Sequence, residues 1–325
     1  MRSFALATIL AAANAESQLF LDFANHCAKF GFMHGNLDDF QMRMARFSEV
    51  DEFIKKNNSS DATHVAGHNQ FSTWTHEEYK AMLGFIKDEN RAEATTFDES
   101  SNDSYVNWVD AGAVTGVKDQ GACGSCWAFG TTGSLEGAHF IATGELLSFS
   151  EQQLVDCASF TGYGNLGCYG GLATYAYNYY MDGNMAELES VYPYTSGNGS
   201  MTLNCQYDSL SKTAVTVSTY LNVTAENPTQ MKAALVQQPL AVGIEADKMA
   251  FQTYTSGVLS GSACGTNLDH AVLVVGDGTE DGQDYWLVKN SWNTTWGDQG
   301  YIKLAKDSKY GTCGVQMEPQ APTTN

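Results

Sequence analysis

The sequence predicts an α+β fold of two lobes behind a separate helical segment, and three patterns predict it. Residues 16 to about 85 carry helical spacing, with Phe20, Phe23, Cys27 and Phe30 on one face and Phe40, Met44, Phe47 and Ile54 on a second stripe. Residues about 125–142 read as a long helix, and Ser150-Glu151-Gln152-Gln153 as a capping box that opens another, carrying Leu154 and Val155. After about residue 212 the texture changes. Ala214–Val217, Leu240–Ile244, Ala271–Val275 and Tyr285–Val288 are short β-rich runs between turn residues. A mainly helical lobe therefore extends to about 211, and a mainly β lobe from about 212 to 317.

Residues 1–15 read as a secretory signal. Arg2 supplies the positive end, Phe4 to Ala12 the short apolar run, and Ala13-Asn14-Ala15 a small-residue cleavage site before Glu16. The alternative is the start of a buried helix. No other run reaches the length of a membrane span, and there is no internal repeat. Residues 86–104 are polar, acidic and poor in apolar side chains, and read as a mobile linker. The 325-residue chain is long enough for these segments plus one two-lobed domain.

The net charge of −20 excludes nucleic acid as a partner, because phosphate needs a basic face. Residues 101–325 hold 22 acids against 8 lysines, and every arginine precedes them. Such a surface suits a protein that stays soluble while its carboxylates protonate. Asn57, Asn58, Asn102, Asn198, Asn222 and Asn293 each begin a glycosylation sequon, which secretion would permit. Of the eight cysteines, Cys27 lies on the Phe20 face as a small core residue or a redox-sensitive thiol. Spacing alone does not pair the others.

The chemistry concentrates around Cys126, in Gln120-Gly121-Ala122-Cys123-Gly124-Ser125-Cys126-Trp127-Ala128-Phe129. A cysteine entering a helix is a nucleophile in need of a base. Asp269-His270-Ala271-Val272 supplies one 144 residues later, and Asn290 in Lys289-Asn290-Ser291-Trp292 is a candidate orienter. Cys123-x-x-Cys126 also admits a redox dithiol or half a zinc site, although neither a thioredoxin-like context nor a second ligand pair is seen. His270 alone would read as a core histidine, and His139 has no motif around it.

Taken in this order, the motifs resemble the papain/cathepsin family of cysteine peptidases, over nearly the whole chain after residue 15. The resemblance implies a papain-like fold: a helical lobe and an antiparallel β-barrel-like lobe (104–325 together), a cleft between them, and a helical inhibitory prosegment over 16–103. It implies disulfides Cys123–Cys168, Cys157–Cys205 and Cys264–Cys313. A thiolate on Cys126, favoured by the helix N-terminus and an imidazolium at His270, would attack the substrate. His270 returns its proton to the leaving amine, and Asn290 holds the ring. Trp292 and Trp296 shield that bond, while the Gln120 amide and the Cys126 N–H form the oxyanion site. No metal or organic cofactor is required.

The same resemblance extends to the prosegment and the substrate pocket. The spaced Glu-Arg-Phe-Asn-Ile-Asn signature of the cathepsin L branch reads Asp39, Arg43, Phe47, Val50, Ile54 and Asn58. A second signature reads Gly67, Asn69 and Phe71, then Thr73 where an acid is usual, so one ion pair is expected to be missing. The mature part begins near Ser101–Ser104, with the activating cut in the linker. Gly170 and Gly171 form a rim for the substrate backbone, with Asp269 and Trp292 also at the cleft. Leu172, Ala173, Gly243 and Leu268 make an apolar pocket for the residue two before the cut, with Glu318 at its floor. Phe or Leu should fit there, and Arg through Glu318. With no insert seen to block the cleft, an endopeptidase is expected over an exopeptidase or a silent peptide-binding homologue. Partners are then polypeptide substrates, the chain's own prosegment and cystatin-like inhibitors, for a monomer in the secretory pathway, either lysosomal or vacuolar, or extracellular. His26, His34, His64, His68 and His76 lie in the prosegment, where protonation on acidification would loosen it.

Overall fold

The computed structural model describes residues 17–33, 35–88, 91–101, 105–207 and 213–324. The expected signal at 1–15, His34, the Asn102 sequon and most of the expected mature start at 101–104 lie outside them.

Two helices come first, α1 (17–30) and α2 (Leu37–Asn58). Asn36 caps α2 by accepting the Asp39 N–H at 2.9 Å. The predicted stripes meet here. Phe23, Cys27 and Phe47 are buried, with Leu19, Phe32, Phe40 and Met44 packed against them. Phe20 stays at the rim, half exposed. Asn58 closes α2 by clamping the short strand β1 (His64–Ala66), donating to the Ala66 carbonyl at 2.8 Å and accepting its N–H at 2.9 Å. Helix α3 (His76–Ala81) opens with a complete capping box between Thr75 and Glu78. Glu78 also takes the Arg43 guanidinium, which donates to the Thr73 carbonyl at 3.0 Å. Arg43 is thus paired with the carboxylates of both Asp39 and Glu78, and meets Thr73 only through its backbone carbonyl.

The long helix α4 (Cys126–Thr143) is buried over most of its length, as expected of a helix wedged between lobes. Helix α5 (Glu151–Cys157) starts at Ser150, whose hydroxyl accepts the Gln153 N–H at 3.0 Å. The predicted box is only half made, because Gln153 Oε1 accepts the Glu187 N–H at 2.8 Å and the Ser150 N–H donates to the Glu187 carbonyl at 2.9 Å. Helix α6 (Ala173–Met181) completes this lobe's core with Trp127, Leu135, Phe149, Leu154, Tyr177 and Tyr180.

The β lobe contains β2 (Val217–Asn222), α7 (Pro228–Leu235), β3 (Leu240–Ile244), α8 (Met249–Gln252), β4 (Tyr254–Leu259), β5 (His270–Glu280), β6 (Gln283–Lys289), β7 (Tyr301–Ala305) and β8 (Gln320–Thr324). The strands form one sheet in the order β1-β4-β7-β6-β5-β3-β8-β2. The run at Ala214–Val217 becomes strand only from Val217, and β8 carries the lobe past residue 317. Prosegment strand β1 pairs antiparallel with β4 and covers that edge. Behind the cleft, Lys118 bridges the buried carboxylates of Glu136 and Glu151 at 3.1 and 2.7 Å. The disulfides join Cys123–Cys168, Cys157–Cys205 and Cys264–Cys313, which removes the redox and zinc readings of Cys123.

Residues 91–101, read from composition as a mobile linker, are fastened to the β lobe. Arg91 donates to the carbonyls of Met317, Val223 and Pro319 at 2.9, 2.8 and 2.7 Å. Thr95 N–H reaches Asn222 O at 2.7 Å, and Phe97 is buried with its backbone held by Gln230. One arginine and one phenylalanine do this, too few to register in a composition average.

Candidate active site

The loop before Cys126 is set by close backbone contacts. The Gly124 N–H donates to the Cys168 carbonyl at 3.0 Å beside the Cys123–Cys168 bond, and the Ala122 N–H to the Gly197 carbonyl at 2.8 Å. Cys126 is then the first residue of α4 and fully buried, and its Sγ accepts the Ala271 N–H at 3.3 Å. Ala271 follows His270 at the start of β5, so β5 brings the residue next to His270 against Cys126 across the lobes.

His270 Nε2 lies 2.8 Å from Asn290 Oδ1, and the His270 ring stacks on Trp292 with centroids 4.6 Å apart. Its Nδ1 has no partner among the described residues. Trp296 packs edge-on against Trp292 at 5.0 Å, and both indoles are buried. Gln120 is oriented at its oxygen, which accepts from Ser291 Oγ at 2.6 Å and Trp292 Nε1 at 3.2 Å. Its amide nitrogen therefore faces the cleft as a donor. Ser291 was missed from sequence, although it sits between two residues singled out there.

The prosegment fills the cleft. Gln120 Nε2 donates to the Met82 carbonyl at 2.8 Å. Gly171 N–H donates to Gly84 O at 2.9 Å, Ile86 N–H to Gly171 O at 3.0 Å, and Phe85 N–H to Asp269 O at 3.0 Å. An extended peptide thus pairs with both walls at once, parallel to Gly171. Gly84 lies so close to the catalytic-side loop that a Cβ would come within 1.8 Å of Gly124 O. Phe85 rests on Gly243, where a Cβ would come 2.5 Å from the ring. Phe71 and Tyr79 pack edge-on against Trp292 at 5.2 and 5.7 Å, so the prosegment also grips the indole that backs His270.

Burial sets the charge state of this covered site. It raises the Cys126 thiol to about 11, against the lowering effect of the Ala271, Gly84 and Trp127 N–H groups. It lowers His270 to about 4, against its bond to Asn290. Both directions favour the neutral pair, so the resting ion pair read from sequence is not the state this covered site favours. Burial also raises Asp269 to about 7, helped by Asp247 and Glu245, while its Oδ1 accepts the Ala246 N–H at 2.8 Å.

Of the expected pocket residues, Gly170 and Gly171 contact the prosegment, Gly243 underlies Phe85, and Asp269 pairs through its carbonyl. Leu172 and Ala173 are buried at the start of α6, and Leu268 lies beside Gly314. Glu318 is buried with Oε2 unpartnered among the described residues, and burial raises its pKa although Arg91 opposes this. Phe85 was missed at the very end of the segment read as helical, and Arg91 in the stretch read as linker.

Residues 103–323 match the model of the papain family cysteine protease, and residues 23–79 that of the cathepsin propeptide inhibitor domain. Digestive cysteine proteinase 1 of Homarus americanus is 40% identical over 328 residues, covering 98% of both chains. A probable cysteine protease of Arabidopsis thaliana, RD21B, is 42% identical over 289 residues, and this chain spans 60% of its length. Among solved structures, digestive procathepsin L 3 of Tenebrio molitor larval midgut superposes with a TM-score of 0.82 at 32% identity, covering 94% of this chain and 98% of that one. A recombinant stem bromelain precursor gives 0.85 at 32% identity, with 94% and 99% covered. The chain belongs to the papain family of cysteine proteases, as a zymogen whose cathepsin-type propeptide domain precedes the peptidase domain.

Proposed function

We propose that this zymogen gives rise to an endopeptidase in which Cys126 is the nucleophile and His270 its acid–base partner. The observation that carries this is the extended segment Met82–Ile86, held between Gly171 and Asp269 with a carbonyl on the Gln120 amide. It supports a cleft built to bind a polypeptide. The Gly84 N–H of this segment is directed at Sγ.

Once the segment leaves, water returns and the burial that holds both groups neutral is relieved. The α4 N-terminus then favours a thiolate beside imidazolium. The thiolate attacks the scissile carbonyl carbon, and Gln120 Nε2 and the Cys126 N–H hold the oxyanion. Collapse of the tetrahedral intermediate breaks the C–N bond as His270 protonates the amine. Water, deprotonated by His270, then releases the acid from the thioester. Asn290 Oδ1 accepts Nε2–H, which leaves Nδ1 for the sulfur.

Phe85 on Gly243 supports Phe or Leu two residues before the cut. The buried Glu318, already close enough to feel the Arg91 charge, supports Arg there. Three disulfides support a secretory route.

Acidification would release the prosegment through its buried imidazoles. Burial lowers His26 to about 4, and it lowers His64 and His68 too. His26 and His68 have ring centroids 6.0 Å apart, and Phe47 stacks on His68 at 4.1 Å. His26 also faces Lys29, Phe30 and Phe32. His68 faces Asp51, Asp22 and Lys55, and its Nε2 is 3.5 Å from Asp51. His64 stacks near Tyr254 of the β lobe. A lowered folded-state pKa means the unfolded segment binds more protons, so stability is present above 6.5 and is lost on descent towards about 4. His76, expected to share this role, is exposed.

The test is hydrolysis of Phe-Arg and Arg-Arg fluorogenic peptides by the purified full chain, before and after acidification, beside Cys126→Ala. Activity that appears on acidification and is absent in the mutant is the expected result. No hydrolysis after demonstrated loss of the prosegment would reject the endopeptidase reading.

A further inference from the structure

Tyr194 does not reach the substrate cleft's reacting groups, yet its hydroxyl joins the two ends of the oxyanion loop. It donates to the Gln120 backbone carbonyl at 2.9 Å and lies 2.7 Å from Ser125 Oγ. The phenol has one proton, so with that proton on Gln120 O the Ser125 hydroxyl must donate to the phenol oxygen. The ring packs edge-on against Phe129 in the first turn of α4, with centroids 5.0 Å apart. Its own backbone N–H is fixed on Glu189 Oε1 at 2.9 Å.

This arrangement diverts a serine from its usual task. Ser125 holds the N-cap position of α4, where a hydroxyl ordinarily accepts an N–H of the first turn. Here it makes no capping bond. The Ala128 N–H donates instead to the Ser125 backbone carbonyl at 2.8 Å, and the Trp127 N–H acts on Cys126 Sγ, where its partial positive charge is useful. Gln120 and Ser125 flank the candidate nucleophile's loop, and one phenol is tied to both.

We propose that Tyr194 is a positioning residue for amide hydrolysis, setting the spacing between the Gln120 amide and the Cys126 N–H by holding Gln120 and Ser125 on one hydroxyl. The inference rests on the oxyanion role of Gln120 proposed above. Removing the hydroxyl leaves the donors present but loosely placed, so the loss should be smaller than that of deleting a donor outright.

The experiment uses Tyr194→Phe in enzyme freed of its prosegment, with three readouts. The kcat for a Phe-Arg peptide amide should fall about tenfold with KM unchanged, against ~10²–10³ for a deleted donor. Affinity for a peptide aldehyde should fall by the same factor, because thiol addition to it puts an oxyanion in the same place. Alkylation of Cys126 by iodoacetamide should keep its rate. That step forms a C–S bond, expels iodide and makes no oxyanion. Ser125→Ala should lower kcat likewise, and the double variant should be no worse than the poorer single one. Unchanged kcat in Tyr194→Phe, or an alkylation rate that falls in step with kcat, would overturn the proposal. Gln120→Ala is run alongside. If it leaves kcat intact, the oxyanion reading itself fails; if it lowers kcat while Tyr194→Phe does not, only the role of Tyr194 fails.

Discussion

The prosegment and the peptidase domain are stabilised to different degrees. The helical hairpin of the prosegment closes on Phe23, Cys27 and Phe47, with the buried His26 and the half-buried His68 against Phe47 and no disulfide among the described residues. The peptidase domain has one large core of its own, a second that prosegment residues Phe71, Tyr79, Met82 and Phe97 join, three disulfides and buried charges that are paired with one another. A small core with titratable rings in it loses stability when protons are added. A large core cross-linked by disulfides is far less sensitive. On the function proposed above, the difference would let one chain hold an inhibitor that unfolds while the enzyme beneath it stays folded.

The comparison is broken most strongly at Phe47. Phe47→Ala should cost the prosegment about 3–5 kcal/mol, the usual range for a fully buried aromatic. Differential scanning calorimetry should show the prosegment transition lost or moved far down, the peptidase transition unmoved, and hydrolysis appearing at neutral pH. A single transition that shifts as a whole would mean the two parts unfold together.

The converse change is Cys157→Ser with Cys205→Ser, which removes a cross-link within the helical lobe. It should lower the peptidase transition by about 2–5 kcal/mol and leave the pH of prosegment release where it was.

The third concerns the stretch 91–101, which is held by the three carbonyl bonds of Arg91 and by Phe97 in the core of the β lobe. Arg91→Met strands three carbonyls and should cost about 1–3 kcal/mol. Limited proteolysis at pH 7 should cut this stretch faster, with the helical hairpin still protected. An unchanged cutting rate would show that Phe97 and Thr95 suffice.

The smallest expected stability change is the most specific. His26→Leu with His68→Leu removes two lowered imidazoles, so the prosegment should lose less stability between pH 6.5 and about 4 than the parent does. The midpoint pH of activation should fall, while the neutral-pH transition changes little. An unmoved midpoint would transfer the trigger to carboxylates such as Glu78, which Arg43 holds low and which loses that stabilisation only as pH drops through its own lowered value. On the enzyme side, Glu318→Ala should reduce cleavage of Arg-Arg far more than of Phe-Arg, and equal losses would remove its role in the pocket.

Local pattern settled a good deal of this in advance. The 3.6-residue stripes placed α2 and its core side of Phe47, and Cys126 was expected at a helix start, where it lies. The β runs at 240–244, 271–275 and 285–288 fall within β3, β5 and β6. These are short-range properties, decided by which side chains recur on one face and which residues start or stop an element. The order Gln120, Cys126, His270, Asn290 was legible too, because chain order is a sequence property and each residue carries its own chemistry.

What only the tertiary structure decided was every relation that depends on two distant segments meeting. Composition made 86–104 a loose linker, yet Arg91 and Phe97 fasten part of it, because three carbonyls and an apolar niche on the β lobe wait for them. Arg43 meets Glu78 only because α3 returns to α2. Phe85 on Gly243, Met82 on Gln120, and Tyr194 between Gln120 and Ser125 are also long-range pairs. The neutral state of the covered Cys126 and His270 is likewise a consequence of burial, and burial is a property of the assembled chain, not of any stretch of it.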